Sequence, residues 1–246
     1  MTKQLKAVVL AAGKGTRLHT GENDAPKVMR EACGKPLLWY VLEALSFIEK
    51  KDIILVVGYK KDSVLARFTE YPYAVQSEQL GTGHAVMAAQ DGLVGFTGAL
   101  LVCYGDMPAI KREVYEQLLR THFEEGNSCT LLTGESTLEM SFGRIQRDES
   151  GKFLNVIEEK DCTPQQLEIT ELNTGVYVFD TPMLLEALKE LKNDNSQGEY
   201  YLTDVPAIMQ MKKAKIGIFK RNLGDDIIGV NTLEELKTVE RILGGR

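Results

Sequence analysis

Two hydrophobic periods alternate along this chain. Short, continuous apolar runs, the mark of strands buried on both faces, occur at Leu5–Ala11, Ile53–Val57 and Ala99–Tyr104, with a briefer one at Tyr73–Gln76. Between and after them, apolar residues recur at helical spacing over Leu37–Glu49, Asp62–Phe68, Thr82–Gln90 and Lys111–Glu125. The second half predicts strands at Cys129–Thr133, Gly143–Arg147, Leu154–Glu158, Asn173–Phe179 and Ile216–Phe219, and helices at Pro182–Leu191, Leu202–Met211 and Thr232–Leu243. This order predicts an α/β fold with a Rossmann-like, mainly parallel mixed sheet flanked by helices, in one domain over residues 1–246. The later strands are expected to extend the sheet and wall a pocket. Ligands of such sheets gather beyond the carboxyl ends of the strands, so the segments immediately after strands carry the chemistry.

The first of these reads Leu10-Ala11-Ala12-Gly13-Lys14-Gly15-Thr16-Arg17-Leu18. Gly13 and Gly15 allow backbone conformations with positive φ and let N–H groups approach an anion, while Lys14 and Arg17 bring charge. Neither Gly-x-x-x-x-Gly-Lys-Ser/Thr nor Gly-x-Gly-x-x-Gly fits, so this is a phosphate loop of a third kind. Downstream, Pro26 stiffens the backbone before Lys27, giving the lysine a preset approach; the competing reading is a surface turn with a solvated lysine.

Three further segments carry polar groups after strands. In Gln76-Ser77-Glu78-Gln79-Leu80-Gly81-Thr82-Gly83-His84, the glycines expose N–H groups and the Gln76 amide suits the edge of a base. Thr82 is expected to cap the next helix, and His84 to be a hydrogen-bonded helix residue rather than a proton shuttle. In Tyr104-Gly105-Asp106, a carboxylate at a strand end is a hard oxygen ligand for Mg²⁺, against the alternative of a simple turn. The last group is dispersed over Gly143, Glu158, Asn173, Gln197–Asp204 and Asn231, where amides and carboxylates near glycines match the hydroxyls of a sugar. Against that reading, Glu158 could merely pair with Lys160, and Tyr200 and Tyr201 could merely fill the core.

Composition narrows the field. The 246 residues, 43% apolar, can bury one large core, and the formal charge of −6 argues against a nucleic-acid surface. The apolar run Ala7–Ala12 is too short for a signal-peptide core, and no stretch approaches the roughly 18 residues of a transmembrane helix. Cys33, Cys103, Cys129 and Cys162 lack paired metal-ligand spacing and are expected to be free thiols in a reducing cytoplasm.

These residues carry a resemblance. From Ala7 to about Leu243 the chain resembles the uridylyltransferase domain of bacterial N-acetylglucosamine-1-phosphate uridylyltransferases. The opening Leu-Ala-Ala-Gly-x-Gly-Thr-Arg marks the wider sugar nucleotidyltransferase superfamily; Gln79–Ala85, Tyr104–Asp106, Asn173–Gly175 and Gln197–Tyr201 narrow it. The resemblance implies the nucleotide-diphospho-sugar transferase type of fold. It implies uridine or UTP held by Leu10, Ala11, Ala12, Gly13, Gly15, Thr16, Gln76, Gln79, Gly81 and Thr82, and amino sugar held by Tyr104, Gly105, Gly143, Glu158 and Asn173. It further implies Mg²⁺ on Asp106 and Asn231, with Arg17 and Lys27 as the catalytic, phosphate-binding cations. Two departures stand out: no hexapeptide repeat occurs within the chain, so a single activity or a fragment is expected, and His19–Ala25 looks about two residues longer than the family pattern.

The implied reaction suits these residues. A sugar 1-phosphate is already an anionic nucleophile, so no proton acceptor is required; what is required is charge control where two polyanions meet. The expected reaction is in-line attack of N-acetylglucosamine 1-phosphate on the α-phosphate of UTP, with Mg²⁺ as cofactor, giving UDP-N-acetylglucosamine and pyrophosphate. The alternatives are another hexose 1-phosphate (glucose, galactose or N-acetylgalactosamine) and a nucleotide-sugar-binding regulator without turnover. Oligomeric state stays open.

Overall fold

The computed structural model describes residues 4–15, 25–135, 141–222 and 224–245. The first half contains β1 (Leu5–Ala11), the hairpin strands β2 (Glu31–Ala32) and β3 (Lys35–Pro36), α1 (Leu37–Ala44), β4 (Ile53–Val57), α2 (Lys61–Arg67), β5 (Tyr73–Val75), α3 (Thr82–Ala88), β6 (Ala99–Tyr104) and α4 (Arg112–Glu125). The second half contains β7 (Cys129–Glu135), β8 (Arg144–Arg147), β9 (Phe153–Ile157), α5 (Pro164–Leu167), β10 (Glu171–Asp180), α6 (Thr181–Leu188), α7 (Val205–Met211), β11 (Ile216–Arg221) and α8 (Leu233–Gly244).

The main sheet runs β11-β7-β10-β6-β1-β4-β5. Its β6-β1-β4-β5 portion is parallel, as is β7-β11, and β10 runs antiparallel between β6 and β7. The expected mainly parallel mixed sheet is therefore present. Alternation along β1 explains why its run is apolar throughout: Ala7, Val9 and Ala11 face one core, while Val8 and Leu10 face the other. Leu38 and Val41 of α1 and Val114, Tyr115 and Leu118 of α4 cover the first face. Val86 of α3, Leu184 and Leu188 of α6 and Met209 of α7 cover the second. Each such side chain, taken fully out of water, stabilises the fold by about 2 kcal/mol before chain entropy is counted. A third cluster joins Val239 of α8 to Ala32, Leu37 and Val230.

The antiparallel β10 shapes the ligand end of the sheet. Because it enters where β6 ends, Asn173, Thr174 and Gly175 lie beside Tyr104 at that end. The β10–β7 register shifts between Asn173 and Tyr177, and Gly175 sits in this irregular stretch with φ 77°. A Cβ there would lie 2.2 Å from Tyr104 Cε2, so only glycine lets β10 pass the Tyr104 ring. The β8–β9 hairpin branches off β10 through the Leu172–Arg144 pairing.

Four expected helices are shorter than their hydrophobic pattern, among them α6, which ends at Leu188 although Leu191 is still buried in the second core. α1 ends at Ala44, yet Leu45 and Ile48 continue into the same core from the turns beyond it, so the helical spacing outlasts the helix. α3 ends at Ala88 and gives way to a 3₁₀ turn at Gln90–Leu93. Leu202–Asp204 is a 3₁₀ turn, and α7 begins only at Val205, because Pro206 has no N–H to offer and fits a first helical turn. The β2–β3 hairpin and α5 are additions that no periodic signal in the sequence announces. Cys33 and Gly34 turn that hairpin with φ 49° and 77°, a turn whose usual Asn-Gly signature is absent here.

Candidate functional site

The end of β1 and the loop after it bring Leu10, Ala12 and Gly13 to the edge of a cavity. Gly15 uses its freedom to take positive φ, at 64°, and packs against Lys27, where a Cβ would meet Lys27 Cβ at 2.7 Å; Gly13 does not take positive φ. Ala11, by its strand position, turns its methyl into the core on the opposite face, which leaves only its backbone to the loop. Thr16 and Arg17, and most of the lengthened segment after them, lie outside the described residues. Lys27 opens a 3₁₀ turn directly after Pro26, pinned by the Met29 N–H to Pro26 O bond at 2.9 Å and by buried Val28. It is no solvated lysine: its ammonium pairs with the Asp106 carboxylate and donates to Asn231 Oδ1 at 2.7 Å, the lysine and aspartate side chains being 14% and 15% exposed.

Asp106 and Asn231 are far apart in sequence and meet for an identifiable reason. The Val230 N–H donates to the Asp106 carbonyl at 3.0 Å, and Val230 is buried. Immediately after, Thr232 starts α8 with a capping box, in which Glu235 Oε2 accepts from the N–H groups of Asn231 at 2.6 Å and Thr232 at 2.7 Å. Asn231 Nδ2 donates to Gly229 O at 3.0 Å, which orients the amide oxygen towards Lys27. Two hard oxygen donors thus converge on one cation. That donor set fits a divalent metal which takes one or two protein oxygens and completes its shell with phosphate and water. Among the described residues no group of three or more histidines, cysteines, aspartates or glutamates could hold a metal by itself.

Two cavities adjoin at this point. One, of about 270 Å³, is lined by Leu10, Ala12, Gly13, Val28, Gln76, Gln79, Gly81 and Ala85. The other, of about 240 Å³, is lined by Phe142, Gly143, Glu158, Asn173, Gln197, Tyr201, Thr203 and Asn231 among others. Lys27, Thr82, Tyr104, Asp106 and Glu199 line both. Of the expected nucleotide residues, Leu10, Ala12, Gly13, Gln76, Gln79 and Gly81 line only the first cavity; of the expected sugar residues, Gly143, Glu158 and Asn173 line only the second; Thr82 and Tyr104 line both.

In the first chamber the buried Gln76 donates from Nε2 to Gly81 O at 3.0 Å and lies 3.3 Å from His84 Nδ1. His84 is accordingly a hydrogen-bonded helix residue, as expected. Thr82 is not the helix cap: Gly81 holds that position, and the Thr82 hydroxyl instead accepts from Leu202 N–H at 3.0 Å. Together with Gly83 N–H to Tyr200 O and Tyr200 N–H to Leu80 O, both 2.8 Å, it ties the two glycine-rich segments into a common floor.

In the second chamber Glu158 accepts from Thr203 Oγ1 at 2.9 Å and does not pair with Lys160, which contacts Gln197 instead. Burial pushes the Glu158 carboxyl above the usual carboxylate range; the Thr203 bond only partly opposes this. Asn173 donates from Nδ2 to the Tyr177 hydroxyl at 2.7 Å, and its Oδ1 is buried with no hydrogen-bond partner. An orphaned acceptor of this kind calls for a ligand donor. Burial keeps the Tyr104 phenol from ionising, so it stays neutral, with Thr82 as a hydrogen-bond partner. Gly105 lines neither cavity; its N–H bonds Leu10 O at 2.9 Å, and a Cβ there would lie 3.1 Å from the Leu38 and Val28 side chains. Glu199, Thr203 and Tyr201 have no individual role legible in the sequence, and the Gln197–Asp204 motif is the signal that points to them.

Among the described residues no helix is long and apolar enough to cross a membrane. The four cysteines are free; Cys103 and Cys129 are buried, Cys103 with its thiol pushed up to about 12 by burial, whereas Cys33 is exposed.

Relatives named "Bifunctional protein GlmU" align with nearly the whole chain: that of Lactobacillus delbrueckii subsp. bulgaricus is 43% identical over 242 residues, 97% of this chain and 51% of the relative. That of Halalkalibacterium halodurans is 39% identical over 241 residues, 98% of this chain and 52% of the relative. The chain thus spans about half the length of the curated relatives it matches. A solved UDP-glucose pyrophosphorylase complexed with UDP-glucose has a TM-score of 0.77 at 19% identity, covering 98% of this chain and 99% of that one. A putative glucose-1-phosphate thymidylyltransferase from Bacillus anthracis, in complex with a sucrose, has a TM-score of 0.72 at 17% identity, covering 97% and 95%. At those identities the two structures speak for the fold alone. The family model described as nucleotidyl transferase matches residues 6–232, a span that includes both chambers and the wall between them, and the chain belongs to that family.

Proposed function

We propose that this nucleotidyltransferase transfers UMP from UTP to N-acetylglucosamine 1-phosphate, releasing UDP-N-acetylglucosamine and pyrophosphate. The observation that carries the reading is the shared wall: Lys27 and Asp106 stand where the Gln76 chamber meets the Glu158 chamber, so phosphates entering from either side reach the same charges. Uridine occupies the Gln76 chamber and the amino sugar the Glu158–Asn173 chamber. There the orphaned Asn173 Oδ1 and the Glu158 carboxylate accept from sugar hydroxyl or amide N–H groups. The family membership and the relatives named GlmU support the reaction class and this choice of sugar.

An oxygen of the sugar phosphate attacks the α-phosphorus of UTP, the bond from that phosphorus to the β-phosphate bridge breaks, and pyrophosphate departs. No base is needed, and His84, occupied with Gln76, is not used as one. Mg²⁺ on Asp106 and Asn231 would offset charge on the phosphate oxygens. Lys27, released from Asp106, would place its ammonium on the phosphates, with Arg17 as the second cation by family resemblance. Tyr104 and Thr82 hold the floor between the chambers and keep the two substrates apart until their phosphates meet.

Pyrophosphate release from UTP, Mg²⁺ and a panel of hexose 1-phosphates tests this. Fastest turnover is expected with N-acetylglucosamine 1-phosphate. Preference for another sugar would correct the substrate, and release with none of them would leave a nucleotide-sugar binder without turnover.

A further inference from the structure

The second chamber is built from two pieces of chain with little common backbone. Asn173, Thr174 and Gly175 come from β10, whereas Gly143 and Glu158 flank the β8–β9 hairpin. The hairpin meets β10 at one paired position, Leu172–Arg144, and through the Asn173 N–H to Gly143 O bond at 2.8 Å. Its inner residues Ile145, Phe153 and Val156 are buried in the core. Apolar contact fixes which face is inside; it holds the slide and tilt of a two-stranded arm only weakly, because it has no direction.

A directional contact sits at the other end of β8. Arg147 Nε donates to Glu171 Oε2 and Nη2 to Oε1, both at 2.8 Å, a two-pronged pair between the hairpin and the first residue of β10. Thr133 Oγ1 of β7 donates to the same Glu171 Oε1 at 2.8 Å, and Arg147 Nη1 donates to Gly151 O at 2.9 Å in the turn joining β8 to β9. Glu171 is 7% exposed. One buried carboxylate therefore ties β7, β10 and the hairpin tip together, only two residues before Asn173 on the same strand.

We infer that Arg147 and Glu171 are positioning residues for the sugar chamber, clamping the hairpin so that Gly143 and Glu158 stand at the correct distance from Asn173. The inference rests on the proposed function of that chamber. Neither residue lines it, and neither lines the Gln76 chamber; they act through the hairpin that carries Gly143 and Glu158, so their loss is expected to fall on the sugar phosphate. Small displacements of binding groups weaken binding steeply, and an effect on the order of tenfold corresponds to a shift of a few tenths of an ångström.

Steady-state kinetics of Glu171→Gln, Arg147→Met and the double variant, with UTP and the hexose 1-phosphate panel, test it. The expected result is a rise of on the order of tenfold in KM for the sugar phosphate, with KM for UTP within about twofold and the double variant no worse than the singles, since one clamp is lost once. Arg147→Lys keeps the charge without the fork and should recover only part of the loss. Should Arg147→Met or the double variant fold poorly, Glu171→Gln and Arg147→Lys carry the test, with calorimetric binding of UDP-sugar against UTP as a second readout. Parallel changes for both substrates, or none for either, would overturn the clamp while wild-type turnover upheld the proposed function. A wild-type chain inactive on the whole panel would overturn both.

Discussion

Removing the Lys27 ammonium should strengthen, not weaken, metal binding in the absence of nucleotide. Lys27 sits between the two oxygen groups proposed to hold Mg²⁺, paired with Asp106 and 2.7 Å from Asn231 Oδ1. A metal ion entering that position must displace it. With both partners of the pair about 85% withdrawn from water, the contact falls above the exposed-pair range, and a hydrogen bond to a charged group contributes about 1.5–3 kcal/mol. Part of that is regained when the ammonium finds water, which leaves about 1.5 kcal/mol opposing the metal, or roughly a factor of ten in affinity. Lys27→Met keeps an unbranched stem of similar bulk and deletes the charge, so Asp106 faces the site with no competitor. Titration of Mn²⁺ monitored by electron paramagnetic resonance should give a dissociation constant on the order of tenfold lower for Lys27→Met than for the wild type, with Asp106→Asn losing the site. Turnover should move the other way and fall by roughly two to three orders of magnitude, because the phosphates lose a cation. Equal or weaker Mn²⁺ binding by Lys27→Met would refute the competition between lysine and metal.

Single contacts set other outcomes. Asp106→Asn should lower turnover by roughly two to three orders of magnitude with only a modest loss of stability, a drop of a few degrees in the thermal midpoint read by calorimetry as the Lys27 pair is lost. Glu158, its carboxyl raised by burial, should lose its ionised, accepting form as pH falls through that raised value, at a pH where an ordinary carboxylate is still charged. KM for the sugar phosphate should accordingly climb on the acid side of neutrality. In Glu158→Gln the climb should flatten to what the substrate's own phosphate imposes. Because the folded state disfavours the charged form, that variant should also be slightly more stable at neutral pH, in the window above the unfolded carboxylate value of about 4.3. Gly175→Ala, with φ 77° and a Cβ directed into Tyr104, should cost at least about 2 kcal/mol in a denaturant titration and weaken both substrates, since Tyr104 lines both chambers.

Much of the framework is legible in the chain because it depends on local pattern. Continuous apolar runs define β1, β4 and β6 to the residue, and the polar groups just beyond them must then gather at one end of the sheet. Helix ends are less legible: Leu45 and Ile48 keep the helical spacing from non-helical turns, and Pro206 moves the start of α7 past an apolar residue that belongs to the preceding turn. Thr82 shows the same limit on a smaller scale. Its hydroxyl suits a cap, but Leu202 N–H, remote in sequence, claims it.

Residue types and their order within each segment are enough to name most of the two chambers, because an amide beside glycines or a carboxylate at a strand end has the same chemistry wherever the chain later takes it. Which groups meet is decided only by the tertiary structure. The antiparallel entry of β10 beside β6 places Asn173 and Gly175 against Tyr104, and no local pattern encodes strand direction. Val230 reaching the Asp106 carbonyl brings Asn231 within reach of Lys27, so a lysine that could equally have been solvated becomes the cation between two oxygen donors. Ala11 and Gly105, apt by motif, pack against the core, since the pleat of a strand and the packing of a turn determine where each points. Local chemistry is a property of the sequence; the distances that turn it into a site come from contacts made across the whole chain.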